Sequence, residues 1–256
     1  MATPVPPFQH SRLPNAFFSV SKRLIRLRGR PLDVSRLGAN WRLYPRDWID
    51  NRLIVGRPYE HDQLNYMFRL IAEMELDTVI DCGANIGLYA VLAGVHAASV
   101  REIHAFEPVP ATFQRLSHHV RANELDDKVT CHETALSDHR GTFEMQFDPN
   151  STGVSTMSES MATAQGRKFI DVLEVHAVRL DDVLSLEGRK LFIKIDVEGH
   201  ALAVLGGMPD LLANNRAVLQ IEESGDDDII RERLEAAGFH RFHEIDAERY
   251  FTNLPR

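Results

Sequence analysis

A chain of 256 residues, 44% hydrophobic and 26% charged, lies in the ordinary globular range, which excludes disorder, collagen and coiled coil. No run reaches about 18 apolar residues, so no conventional membrane span is expected; two cysteines, Cys82 and Cys131, are too few for a disulfide framework and suggest a reducing, cytoplasmic setting. The net charge of -8 is uneven: residues 1–60 hold 11 Lys or Arg against 4 Asp or Glu, the remainder 18 against 33, and so acidic a main body argues against a nucleic-acid partner held through phosphates.

Leu13, Phe17, Val20, Leu24 and Leu27 recur at helical spacing, with Lys22, Arg23, Arg26, Arg28 and Arg30 between or after them. A basic amphipathic helix is predicted from about Leu13 to Arg28. Charges interrupt the apolar run too early for a secretory signal. Docking on the main domain or on a second subunit is the leading reading, ahead of a membrane-surface helix or a transit peptide, so a homo-oligomer stays open and membrane binding is not expected. Residues 1–57 are read as this basic extension and 58–256 as the main domain.

Leu64, Met67, Phe68, Ile71 and Met74 then form a helical stripe expected to pack on a sheet. Strands are predicted at Thr78–Cys82, Glu102–Phe106, Lys128–His132, Leu191–Ile195 and Ala217–Ile221. Helices are predicted near Gly87–Ala97, Pro110–Asn123, Ala201–Ala213 and Ile229–Ala237. This alternation gives an α/β fold, a mostly parallel, doubly wound sheet with helices on both faces. His118-His119 is expected on a helix surface. Between them the pattern breaks: Thr142–Phe147 and Val172–His176 look like strands, and Asn150–Gln165, rich in Ser, Thr, Met and Gly, is a candidate mobile loop over the site.

Ligands in such sheets bind beyond the carboxyl ends of the strands, so the polar residues there carry the chemistry. Val79-Ile80-Asp81-Cys82-Gly83-Ala84-Asn85-Ile86-Gly87 is an apolar strand entering a glycine turn that opens a helix, without the G-x-G-x-x-G spacing of dinucleotide folds. A carboxylate at Asp81 would repel an anionic pyrophosphate. S-adenosylmethionine has no phosphate; it offers an ammonium and a sulfonium to a carboxylate, and a carboxylate to the turn amides. Asp81, Gly83, Asn85 and Gly87 therefore favour that cofactor over NAD. Glu107 closes the next strand, 26 residues after Asp81, near the spacing at which an acid accepts ribose hydroxyls, and supports an adenosine cofactor without choosing one.

VIDCGANIG at 79–87, AFEP at 105–108, Asn123, ALSD at 135–138, KIDVEGH at 194–200 and LQIE at 219–222 together resemble FkbM-type methyltransferases, over about residues 58–224. The resemblance implies a class I methyltransferase sheet and methyl transfer from S-adenosylmethionine to a hydroxyl of a sugar, polyketide or other small metabolite. It also implies that Glu60, in the Tyr59-Glu60 pair, holds the methionine end and that Ala135 presents its backbone near the adenine. Ala201 departs from the pattern, standing where the family usually has an acid.

Alternation would put Asp196 and Glu198 on one side if their strand continues, with Glu222 ending the neighbouring strand and Lys194 available as an ion-pair partner. Methylating an alcohol requires in-line alignment and removal of a proton. His200 has the best ordinary pKa for that base, while Asp196, Glu198 and Glu222 would orient the acceptor or bind a divalent ion that acidifies it, the metal reading being the weaker because no strict ligand spacing is present. The acidic strand end lacks the Pro and aromatic residues that stack a flipped base, which favours a small polar acceptor. The rival classes are a dinucleotide-linked oxidoreductase and, because of Ala201, a catalytically silent cofactor-binding protein.

Overall fold

The computed structural model describes residues 25–27, 29–56, 59–148, 151–156, 171–222 and 225–255. Apart from residues 25–27, the basic helix expected over Leu13–Arg28 lies outside them. Strands β1 (Leu32–Arg36) and β2 (Ala39–Leu43) form an antiparallel hairpin around Leu37-Gly38, both at positive φ, as a two-residue turn matching strand twist requires. β2 alternates strictly, burying Ala39, Trp41 and Leu43 and exposing Asn40 and Arg42. Helix α1 (Trp48–Ile54) is capped by Asp47, whose side chain accepts the Asp50 N–H. Helix α2 (His61–Glu73) buries Leu64, Met67, Phe68 and Ile71, the expected stripe.

The alternating unit follows: β3 (Thr78–Cys82), α3 (Leu88–His96), β4 (Glu102–Phe106), α4 (Pro110–Ala122) and β5 (Val129–His132). Next come β6 (Ala135–Leu136), β7 (Gly141–Asp148), β8 (Ser151–Thr156) and β9 (Asp171–Val178). The chain then returns through β10 (Lys190–Ile195), α5 (Ala201–Gly206), α6 (Pro209–Asn214), β11 (Arg216–Glu222), α7 (Asp227–Ala236), β12 (His240–Ile245) and β13 (Glu248–Thr252). Among the described residues the main sheet has the order β12-β13-β11-β10-β3-β4-β5, parallel except for β13, which runs against both neighbours. The topological switch point falls between β3 and β10. β6, β9, β7 and β8 form a separate four-stranded sheet.

Strand alternation divides the core. Val79, Phe192, Val218 and Tyr250 face one cluster with α2, α3, β2 and α1; Ile80, Ile193, Leu219 and Phe251 face the other, with α5, α6 and α7. Asp81, Lys194, Gln220 and Tyr250 are consecutive register partners across four strands, so a polar row crosses the first of these faces.

Three local expectations change. The single helix read over Ala201–Ala213 is two, because the chain turns at Gly207 and Met208 and Pro209 opens α6. A Cβ on Gly207 would stand 2.1 Å from the Ser137 carbonyl oxygen, so that turn is packed against β6. Of the loop expected over Asn150–Gln165, residues 151–156 are strand β8; residues 150 and 157–165 lie outside the described residues. His119 is fully buried rather than on the surface: its ring contacts the Ile86 carbonyl (2.8 Å) through Nδ1 and the Arg42 N–H (3.1 Å) through Nε2, joining α4, β2 and the glycine turn. Burial holds its pKa down at about 4.

Residues 32–54 precede the domain start read at residue 58, yet Trp41, Leu43 and Leu53 lie in the same cluster as α2 and α3. Trp41→Ala should cost about 3–5 kcal/mol, as buried aromatic truncations do. A chain starting at residue 58 should lose cooperative unfolding. Urea denaturation checks both; an unchanged midpoint in Trp41→Ala would contradict the burial argument.

Candidate active site

The turn after β3 is satisfied from within. Gly83 and Ala84 donate their N–H groups to the Phe106 carbonyl (3.0 and 2.8 Å), Gly87 donates to the Ala84 carbonyl (2.8 Å) and Ile86 donates to Asn85 Oδ1 (2.8 Å). Asn85 donates its N–H to Glu107 Oε2 (3.0 Å). The amides expected to receive a ligand carboxylate are thus engaged by protein. The two glycines also serve the protein itself. A Cβ on Gly83 (φ 83°) would stand 1.9 Å from the Asp196 carbonyl oxygen, and one on Gly87 (φ 89°) would stand 2.6 Å from the Leu116 side chain. Gly83 lets the loop after β3 lie against the end of β10, and Gly87 lets α3 pack on α4.

Beyond that turn lies a cleft enclosing about 1040 Å³, open solvent at its mouth included; Asp81, Asn85, Glu107, Ala135, Asp196 and Glu222 are among the residues lining it. Gly83, Glu60 and Glu198 line it too, so nine of the residues singled out in the sequence meet there. Gly87 stands behind the wall. His200 is not among the lining residues. β10 ends at Ile195, and positive φ at Glu198 (45°) and Gly199 (86°) turns the chain, so the strand does not continue and the alternation that would pair Asp196 with Glu198 does not apply. His200 instead faces Ser137 Oγ, 3.1 Å from Nε2, and burial lowers its pKa. Ala201 is buried among the apolar residues of α5, away from the cleft.

Lys194 organises the acids. Its ammonium, 3% exposed as a residue, lies 2.6 Å from Asp196 Oδ2, 3.8 Å from Glu60 Oε2 and 4.6 Å from the centre of the Tyr89 ring. Burial alone would lower its pKa, but Asp196, Glu60 and Glu248 hold it well above the ordinary value. Asp196 is likewise raised by burial and pulled below the usual carboxylate range by Lys194. Glu222 hydrogen-bonds Asp196, and burial with that neighbouring charge pushes it up to about 10, so it carries the shared proton at neutral pH. Sequence reasoning reached Glu60 only through resemblance and did not reach Tyr59, Tyr89 or Glu248.

Glu60 occupies the N-cap position of α2 at φ 57° and ψ 37°, a left-handed conformation costing of order 1–3 kcal/mol for a residue other than glycine. Its side chain is held by Lys194, Tyr89 and Glu248. Asp81 is buried, and its Oδ2 accepts the Ala90 N–H (3.2 Å) inside α3; burial raises its pKa to about 6. Glu107 accepts from Asn85 and, through Oε1, from Val109 (2.9 Å), and burial raises it to about 7.

The donor set tests the cofactor. Glu60, Asp81, Asp196 and Glu222 line the cleft around Lys194, the one cation among its described lining residues, a carboxyl surplus that fits ammonium and sulfonium groups and opposes a pyrophosphate. Phe106, Leu136 and Met145 supply apolar wall for an adenine. The residues present therefore fit S-adenosylmethionine.

The raised acids make stability pH-dependent. Asp81, Glu107, Glu248 and Glu222, at about 6, 7, 9 and 10, keep protons that the unfolded chain releases near pH 4, so their contribution is lost as pH rises through those values. The melting temperature should fall from pH 6.5 to pH 10, and Glu222→Gln, with no such proton to lose, should flatten the decline. Equal slopes in the two proteins would contradict the protonated state of Glu222.

A family model described as the methyltransferase FkbM domain matches residues 81–241. The chain is 31% identical to the 31-O-demethyl-FK506 methyltransferase FkbM of Streptomyces tacrolimicus, with 52% of this chain and 60% of that one covered. It is 30% identical to the methyltransferase sdnD of Sordaria araneosa, covering 63% of this chain and 73% of that one. It is also 30% identical to the hexuronic acid methyltransferase AglP of Haloferax volcanii, at 61% of each. The matches thus span about three fifths to three quarters of these curated relatives. The human METTL16 catalytic domain, solved with an RNA hairpin, shares the fold at a TM-score of 0.51 and 13% identity, over 93% of this chain and 78% of that one. With the domain match covering more than half of its length, this chain belongs to the FkbM family of methyltransferases, whose methyl donor is S-adenosylmethionine.

Proposed function

We propose that the protein transfers a methyl group from S-adenosylmethionine to a hydroxyl of a small, polar, sugar-like acceptor. The observation that carries this reading is the Asp196–Glu222 pair at the cleft: an ionised carboxylate, its side chain 23% exposed, backed by a protonated neighbour. One relative is named for a hexuronic acid, an acceptor of this kind, and another for 31-O-demethyl-FK506, a name that places the methyl group on oxygen. The strongly acidic main body and the absence of Pro and aromatic residues from 196–200 support a small molecule over a nucleic acid. Among the described residues no helix is long and apolar enough to cross a membrane.

The donor supplies an electrophilic methyl group on a sulfonium, which needs alignment more than acid assistance. With the donor bound, Glu60 and Asp81 would hold its cationic methionine end, Glu107 would accept its ribose hydroxyls, and the Ala135 segment would border its adenine. Asp196 takes the proton of the acceptor hydroxyl. Lys194 fixes the orientation of Asp196, and Glu222 donates a hydrogen bond to the same carboxylate while keeping its own proton. Glu198 borders the acceptor side of the cleft. His200, read from the sequence as the base, is replaced in that role by Asp196 because it stands outside the lining.

Isotope-labelled methyl transfer into a panel of uronic acids, other sugars and metabolite extracts tests the reaction. Asp196→Asn should lower turnover by about 10²- to 10⁴-fold with donor affinity little changed. His200→Ala should retain most of the activity. Full activity in Asp196→Asn together with a dead His200→Ala would return the base to His200, and label in no acceptor from donor-binding protein would favour a silent binding protein.

A further inference from the structure

We infer that Glu248 is a positioning residue for the methyl donor: as a neutral carboxylic acid it donates a hydrogen bond to Glu60 and holds that carboxylate in place beside Lys194. The inference rests on the proposed donor site, to which Glu60 belongs. Glu248 opens β13, the strand antiparallel to the rest of the sheet, and stands directly opposite Glu222 in the pairing with β11. Gln220 and Tyr250 pair two residues further along, and Lys194 pairs with Gln220, so all these side chains share one face. Glu248 is 2% exposed and does not line the cleft, so it cannot act on a ligand directly.

Two carboxyl groups form a hydrogen bond only when one keeps its proton. Glu60 and Glu248 make such a bond; burial raises both acids, Lys194 and the hydrogen bonds at Glu60 pull Glu60 back, and the contacts assign the proton to Glu248. Glu60 has the ammonium of Lys194 3.8 Å away and the Tyr89 hydroxyl as a second partner. Glu248 Oε2, by contrast, is buried with no donor facing it among the described residues. The groups around Glu248 are Glu60 from α2, Tyr89 from α3, Lys194 and Asp196 from β10, Glu222 from β11 and Tyr250 on its own strand, while β12 places Ile245 opposite it. Lys194 is the only cation in that set, and it already serves Asp196 and Glu60. Burial, with the charges of Glu60 and Asp196, pushes Glu248 up to about 9. The left-handed backbone at Glu60 is a second sign that its carboxyl is held from outside its own helix. An ionised Glu248 would repel Glu60 and release the group proposed to hold the donor's ammonium.

Calorimetric titration of the full chain with S-adenosylhomocysteine, which keeps the donor's α-amino and carboxylate groups and survives alkaline pH, tests this. At pH 7, Glu248→Gln should bind within about threefold of wild type, because a neutral amide donates the same bond, while Glu248→Leu, neutral but without a donor, should lose about tenfold. Between pH 7 and 10 wild type should weaken about tenfold more than Glu248→Gln. The probe's own amine titrates identically in both proteins, so the difference reports Glu248. Glu60→Gln gives a route independent of that variant's folding: with no carboxylate to repel, its alkaline loss should shrink. Parallel pH profiles for wild type and Glu248→Gln, or a full wild-type alkaline loss in Glu60→Gln, would overturn the inference alone. Failure of wild type to bind the probe at any pH would overturn the donor site as well.

Discussion

The ammonium of Lys194 sits inside a sheet, and the arrangement of the cleft follows from that placement. Taking a lysine out of water costs several kcal/mol, and one carboxylate at hydrogen-bond distance does not fully offset it without further bonds to the charged groups. Here Asp196 and Glu60 approach from two elements far apart in sequence, and the Tyr89 ring covers the ammonium. β10 pairs with β3 on one side and β11 on the other, so the register that fixes Lys194 also fixes Asp81 and Gln220 beside it. Lys194 pulls Asp196 below the usual carboxylate range, and burial together with the neighbouring carboxylates raises Glu222 and Glu248. Removing the lysine would leave like charges facing one another in a low dielectric, a larger penalty than the pair is worth as an attraction.

The backbone couples the two sides of the cleft. Gly83 matters because the loop after β3 and the end of β10 touch main chain to main chain, with the Asp196 N–H also bonded to the Cys82 carbonyl at 3.1 Å. The turn bordering the donor space and the loop carrying Asp196 therefore cannot move independently. His119 extends the coupling on the other side by tying the Ile86 carbonyl to β2 through a ring too buried to be charged at neutral pH. A rigid frame of this kind suits a reaction in which alignment is the main requirement.

What the sequence revealed depended on how local each determinant is. Asp81, Glu107 and Glu222 end apolar runs, and a parallel sheet sends such ends to one edge, so their convergence could be read from alternation alone. Asp196 followed by the same logic, whereas His200 has only its ordinary pKa to recommend it, and the positive φ of Glu198 and Gly199 turns the chain so that its ring faces Ser137 instead. Leu37-Gly38 followed by Trp41 and Leu43 was a legible hairpin signal, masked by the basic residues around it. Glu248 was beyond reach: it enters the site through an antiparallel strand whose sequence, Glu248-Arg249-Tyr250-Phe251-Thr252, has no strict alternation, and its partner Glu60 lies nearly the whole domain away in the chain.

The same contrast bears on how one frame accommodates different acceptors. The acids at the cleft come from the sheet and from the start of α2, whereas Ile49 and Tyr59, from the N-terminal segment, and Met145, from the second sheet, line it from outside the parallel frame. α1 packs against β8, so these two additions meet each other as well as the cleft. Residues that set charge and proton position are thereby separated from residues that set shape. Within the proposed reaction, Ile49, Tyr59 and Met145 shape the cleft wall, whereas Asp196 and Glu60 are the carboxylates that approach the Lys194 ammonium. Loops and added elements on a rigid scaffold are where specificity changes at least cost to the fold.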